Sequence, residues 1–137
     1  MAVNTRTEYA LRALLEIADS KQMAISAQSI CQKQSLPKKY IERLLSNLKT
    51  ANLIQSSSGA KGGYLLSRNP AEITFADIIK SVQDESLDPT CNLNSQRFCP
   101  QDKCPLSGFF ATIGSRIESI LSEYTLADIY NAWKGGK

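Results

Sequence analysis

Pro37-Lys38-Lys39-Tyr40-Ile41-Glu42-Arg43-Leu44-Leu45-Ser46-Asn47-Leu48 is the clearest element of the chain. Ile41, Leu44, Leu45 and Leu48 recur at i, i+3, i+4 and i+7, the spacing of one buried helical stripe. Lys39, Arg43 and Ser46 fall on the opposite face, with Tyr40, Glu42 and Asn47 flanking it. Pro37 suits the first position of such a helix, where its missing N–H costs nothing. Just upstream, Ser26 is placed to cap a helix over 27–34, and Ser35-Leu36 makes a turn. Two short helices, a tight turn and a basic outer face on the second helix form the pattern of a helix-turn-helix.

Working outward, the chain gives a small hairpin after Asn52. Leu53-Ile54-Gln55 and Tyr64-Leu65-Leu66 are its expected strands. The connection, 56–63, is rich in serine and glycine and carries Lys61 next to Gly62. Such a loop suits close approach to a phosphate backbone, since its amides are accessible and few side chains intervene. Helix-turn-helix followed by this hairpin is the winged-helix arrangement. Upstream, Tyr9, Ala10, Ala13, Leu14, Ile17 and Ala18 predict a first helix over 6–19, with Thr5 and Glu8 at capping-box spacing. Downstream, Thr74 and Asp77 predict a capped fourth helix over 75–83. Residues 84–104 have no sustained period and read as a loop. Phe109, Phe110, Ile113, Ile117, Ile120, Leu121 and Tyr124 mark a long helix over 106–124, and Thr125 with Asp128 caps a short terminal one ending near Trp133. The fold class is therefore mainly α with a small β-hairpin. A winged-helix domain spans 1–83, a cysteine-bearing loop 84–104, and a dimerisation helix with the terminal helix 105–137.

At 137 residues the chain is sized for one compact domain with an extension. No apolar run approaches the roughly 20 residues of a membrane span, and no signal segment opens the sequence. A cytoplasmic protein with reduced thiols is expected. The net charge of +3 is unevenly divided. Residues 1–68 hold ten Lys/Arg against four Asp/Glu, whereas 69–137 hold six against nine. The basic first half suits an acidic polymer. Lys38, Lys39, Tyr40, Arg43, Lys61 and Gly62 are the candidate contacts to double-stranded DNA, the competing reading being an ordinary solvated face.

Cys91, Cys99 and Cys104 lie within fourteen residues, and the chain has no histidine. Three thiols on one polar, proline-punctuated loop can hold a soft metal or an iron–sulfur cluster. A zinc site, a disulfide switch between Cys99 and Cys104, and an uncommitted loop are the alternatives. Cys31, inside a short amphipathic helix, is expected to pack in the core. An enzyme is disfavoured: no histidine can serve as general base, and there is neither a Walker-type phosphate loop nor a nucleophile elbow. The apolar stripe of the long helix has little to pack on within so short a chain, so a homodimer is expected.

Taken in order, Thr7-Glu8-Tyr9-Ala10-Leu11-Arg12-Ala13-Leu14, Tyr40-Ile41-Glu42-Arg43-Leu44-Leu45, Gly62-Gly63-Tyr64-Leu65-Leu66, the three-cysteine loop and the long following helix resemble the IscR/NsrR-type winged-helix transcriptional regulators. The likeness covers nearly the whole chain. It implies a homodimer crossed through the long C-terminal helix, with a 2Fe–2S or 4Fe–4S cluster on the cysteines that modulates DNA binding. Three departures stand out. Ser58 occupies the position of an arginine in the usual wing. Ser107 occupies that of a histidine ligand, and seven residues rather than five separate the first two cysteines. With no histidine to complete the site, Glu8 of the other subunit is the candidate fourth ligand. In position it resembles an acidic oxygen ligand of the nitric-oxide-sensing branch. Its competing role is to complete a capping box with Thr5.

Overall fold

The computed structural model describes residues 4–88 and 105–136. Helix α1 spans Thr5–Asp19, α2 Ala27–Gln34 and α3 Lys38–Thr50. Strands β1 (Ile54–Ser57) and β2 (Gly63–Leu66) follow, then a 3-10 turn at Pro70–Glu72 and helices α4 (Phe75–Ser81), α5 (Ser107–Glu123) and α6 (Leu126–Gly135). No helix among the described residues is long and apolar enough to cross a membrane.

The helix-turn-helix forms for the reasons its sequence supplies. The Ser26 side chain accepts from the Ser29 N–H at 3.1 Å, capping α2. Ser35 adopts the left-handed conformation, φ 55°, and closes that helix. Pro37 lies one position before α3 rather than inside it, with its carbonyl accepting the Ile41 N–H at 3.1 Å. The α3 stripe is then buried as a unit: Ile41, Leu44, Leu45 and Leu48 are each at most 1% exposed. They join Leu14 and Ile17 of α1, Ile30 of α2, Leu53 just before the wing, Ile54 of β1, and Ile78 of α4 in one core.

The hairpin pairs Ile54 with Leu66 and Ser57 with Gly63, antiparallel. It begins one residue later than the hydrophobic run suggests, because the Leu53 side chain is buried in the core and its N–H still bonds to the Leu48 carbonyl. Ile25 and Tyr64 exchange two backbone bonds, at 3.1 and 2.8 Å, which tie the wing to the segment before α2.

Helix α4 carries the expected capping box between Thr74 and Asp77, and α6 the expected one between Thr125 and Asp128. The two caps lie side by side: Phe75 N–H donates to the Tyr124 carbonyl and Leu126 N–H to the Ile73 carbonyl, each at 2.8 Å. This pairing brings α6 back onto the N-terminal unit, with Leu126 fully buried and Ile129, Tyr130 and Trp133 packed against the core. Tyr130 and Lys134 both reach the Asp19 carboxylate at the end of α1, at 2.8 and 2.9 Å. Helix α5 stands apart. It packs on α4, where Lys80 meets Glu118, and no residue along its length is buried.

Candidate nucleic-acid interface

Lys38, Lys39, Arg43 and Ser46 are all exposed on α3. The opposite face of the helix is buried in the core, so the points from which these side chains leave α3 are set by the fold. Tyr40 is only half-exposed. Its ring meets that of Tyr9 edge-on, with centroids 5.6 Å apart, and so braces α3 against α1. Lys33 on α2 and Lys49 on α3 are also exposed. The sequence reading passed over both, although each belongs to the basic half of the chain.

At the tip of the wing, Gly62 N–H donates to the Gly59 carbonyl at 2.9 Å, closing a tight turn. Lys61 is exposed on that turn. Gly62 matters sterically: a Cβ there would lie 2.6 Å from the Ser57 carbonyl oxygen. At Gly63 it would lie 2.4 Å from the Ile25 backbone. These two glycines are thus required by the wing's own shape and by its seam with the segment before α2.

The start of α1 differs from the expectation of a Thr5–Glu8 capping box. Asn4 is the N-cap, its side chain accepting from the Thr7 N–H at 3.1 Å, and the helix begins at Thr5. The Thr5 hydroxyl therefore does not cap, and Glu8 contributes to the cap only its backbone N–H, which bonds to the Asn4 carbonyl at 3.1 Å. Its side chain is exposed in the first turn. Position 8 follows the N-cap by four residues, not three, which explains the misreading.

Cys91, Cys99 and Cys104 lie outside the described residues, and among the described residues no group of three His, Cys, Asp or Glu side chains is placed to hold a metal ion. Cys31 is buried in α2, as expected. Burial pushes its thiol pKa up, against the opposing field of Lys38, so this thiol is the inert structural kind.

Asp84 has a role that its place in the sequence does not reveal. Asp84, expected to open a loop, is 7% exposed. Its Oδ2 accepts from the Asn4 N–H at 3.1 Å and the Thr7 hydroxyl at 2.5 Å, and its Oδ1 from the Ser86 N–H at 2.8 Å. Burial disfavours the charged form, but the bonds from Ser86, Thr7 and Asn4 outweigh it and hold the carboxyl down to about 2. Only an acceptor-rich side chain fits these converging donors, but two of the three, from Asn4 and Thr7, are distant in sequence.

The Rrf2 family model, described as an iron-dependent transcriptional regulator, matches residues 3–132. The chain belongs to the Rrf2 family. It is 30% identical over 132 residues to the HTH-type transcriptional regulator IscR of Photorhabdus laumondii, covering 96% of this chain and 80% of that protein. Solved structures share its fold, among them two with a TM-score of 0.74. One is CymR, the global cysteine regulator of B. subtilis, 29% identical over 96% of this chain and 98% of the other. The second is IscR of T. potens, 28% identical over 100% of this chain and 91% of the other. This Rrf2 protein is accordingly a DNA-binding transcriptional regulator and not an enzyme.

Proposed function

We propose that the chain is a cytoplasmic, homodimeric, sequence-specific regulator whose operator affinity is set by an iron–sulfur cluster on the loop carrying Cys91, Cys99 and Cys104. The observation that carries the DNA-binding half is the exposed row of Lys38, Lys39 and Arg43 beside a glycine-built wing tipped by Lys61. In this reading α3 enters the major groove, Lys39 and Arg43 meet base edges or phosphates, and Lys61 and the amide of Gly62 meet the backbone alongside. A two-fold dimer selects a partly palindromic operator.

Dimerisation is assigned to α5. Phe109 and Ile120 on this helix and Tyr124 at its end are 61%, 55% and 54% exposed, which leaves an apolar face for a second copy to cover. In this arrangement residues 1–83 read DNA, 84–104 hold the regulatory centre and α5 joins the subunits, while α6 completes the reading domain's core.

The donor set fits a cluster. Three thiols supply soft ligands, and the exposed, uncapped Glu8 carboxylate is available as an oxygen donor from the partner subunit. When bound, the cluster supplies a centre whose oxidation or loss changes the loop that holds it. The sensor's own residues do the rest: the cysteines fix the loop, and Glu8 ties it to α1.

A second reading is a cluster-free thiol switch. It is favoured by the likeness to CymR, also solved from Staphylococcus aureus in an oxidised form, 27% identical with a TM-score of 0.66. Iron content and the visible spectrum of anaerobically purified protein separate the two. Broad visible bands with bound iron support the cluster, and a colourless, iron-free protein whose DNA binding responds to thiol oxidation supports the switch.

A further inference from the structure

We propose that Asp84 is a positioning residue that couples the cysteine loop to the DNA-reading surface through the first turn of α1, an inference that rests on the regulatory reading above.

Three buried polar or charged side chains stand out among the described residues: Thr7, Glu16 and Asp84. Two of them bond to each other. The Thr7 hydroxyl, fully buried, donates to Asp84 across 77 residues of sequence. The same carboxylate oxygen takes the Asn4 N–H, so the residue that caps α1 is itself held by Asp84. Beside it, Arg6 Nη2 donates to the Gln83 carbonyl at 3.1 Å. These three bonds meet in one place: the N-terminus of α1 is fastened to the segment that follows α4.

The other carboxylate oxygen bonds forward along the chain. Asp84 Oδ1 holds the Ser86 N–H, and Asp88 N–H bonds to the Glu85 carbonyl, so residues 84–88 leave the anchor in a defined path. Gln83, immediately before the anchor, is left-handed at φ 55°, a conformation that ends α4 and turns the chain toward α1. A buried charge is a costly way merely to join two helices, since an apolar pair of similar volume does it at least as well. What a carboxylate adds is direction: it holds one geometry of three donors and no other.

The path from clasp to DNA is short. Helix α1 packs on α2, on α3 and on β2. Tyr9, two residues after Thr7, touches Tyr40 of α3. Glu8 lies between Thr7 and Tyr9, so the clasp also fixes the carboxylate offered to the partner's loop. A displacement of residues 84–88 either carries α1 with it or opens the clasp.

The test compares cluster-loaded and cluster-stripped dimers of wild type, Thr7→Val and Thr7→Ser. Thr7→Val removes the donor at nearly constant shape, and Thr7→Ser keeps it. Two quantities are measured: the ratio of operator Kd between the two forms, and amide hydrogen exchange across residues 4–12 in each form. The expected result is a wild-type ratio that falls at least fivefold in Thr7→Val and is restored in Thr7→Ser. Exchange across 4–12 should become fast and equal in both forms of Thr7→Val only. Asp84→Asn should behave like Thr7→Val; the threonine variants carry the test if it does not fold. An unchanged ratio in Thr7→Val, with only a lower Tm, makes the clasp a staple and overturns the proposal. A wild-type Kd identical in both forms overturns the regulatory reading itself, and is seen before any variant is made.

Discussion

Helices α1 and α5 are alike on paper and opposite in the structure. Each is amphipathic, of 15 and 17 residues, yet α1 buries seven side chains and α5 none. Helix α1 is surrounded by α2, α3, α4, α6 and the wing, whereas α5 rests on α4. The difference shows what a periodic apolar stripe specifies. It states that a face must leave water, and not which surface will cover it. In α1 the covering surface is the same chain. In α5 it is assigned to a second copy, along Phe109, Ile120 and Tyr124.

The two helices should therefore fail differently. Leu14→Ala in α1 removes a fully buried side chain and should lower stability by about 2–5 kcal/mol, read by urea unfolding. Ile120→Ala, more than half exposed, should leave the unfolding of a diluted, monomeric sample nearly unchanged. Equal losses in the two would erase the contrast. Ile120→Glu sharpens it further. A charge in an apolar subunit contact costs several kcal/mol, so sedimentation should show a dimer for wild type, as proposed, and monomer for the variant. A variant that stays a tight dimer places the contact elsewhere.

Acid separates the two regions as well. The Asp84 carboxyl is ordinarily near 3.8 and is held down to about 2 in the fold. A depressed carboxylate contributes stability above its unfolded pKa and loses it as pH falls through the folded value. The contribution is about 2 kcal/mol, present at pH 7 and lost progressively between about pH 4 and pH 2. Asp84→Asn should be less stable at pH 7 and should flatten that window of the stability profile, measured by chemical unfolding against pH. The smallest expected change in fold, with a large one in function, is Lys39→Ala with Arg43→Ala. Both side chains are exposed, so stability should hold. Operator affinity should fall, and the slope of log affinity against log salt should drop by about 2 if both meet phosphates.

Much of this was legible in the sequence because it is local. Periodicity located α3 and α5, and single side chains located the caps of α2, α4 and α6, since a cap is decided within four residues. Gly62 and Gly63 marked the wing. The misreadings are equally physical. Thr5 and Glu8 have the spacing of a capping box, but Asn4, one residue earlier, is the better acceptor and wins the first turn. Asp84 looked like the first residue of a loop because its donors, Asn4 and Thr7, lie 80 and 77 residues away. The return of α6 to the core was illegible for the same reason: the bridge between Thr74 and Thr125 joins two caps that each look self-sufficient. The ligating roles proposed for Cys91, Cys99 and Cys104 are read from the sequence, and these residues lie outside those the structure describes.

The central claim is that the cysteine loop governs a two-fold DNA reader. Its most direct test is footprinting on a duplex selected by the protein from a random library, with anaerobic cluster-loaded protein and the same protein stripped of iron. Two symmetric protected half-sites, with occupancy that changes when iron is removed, is the predicted result. Identical protection by both forms would contradict it.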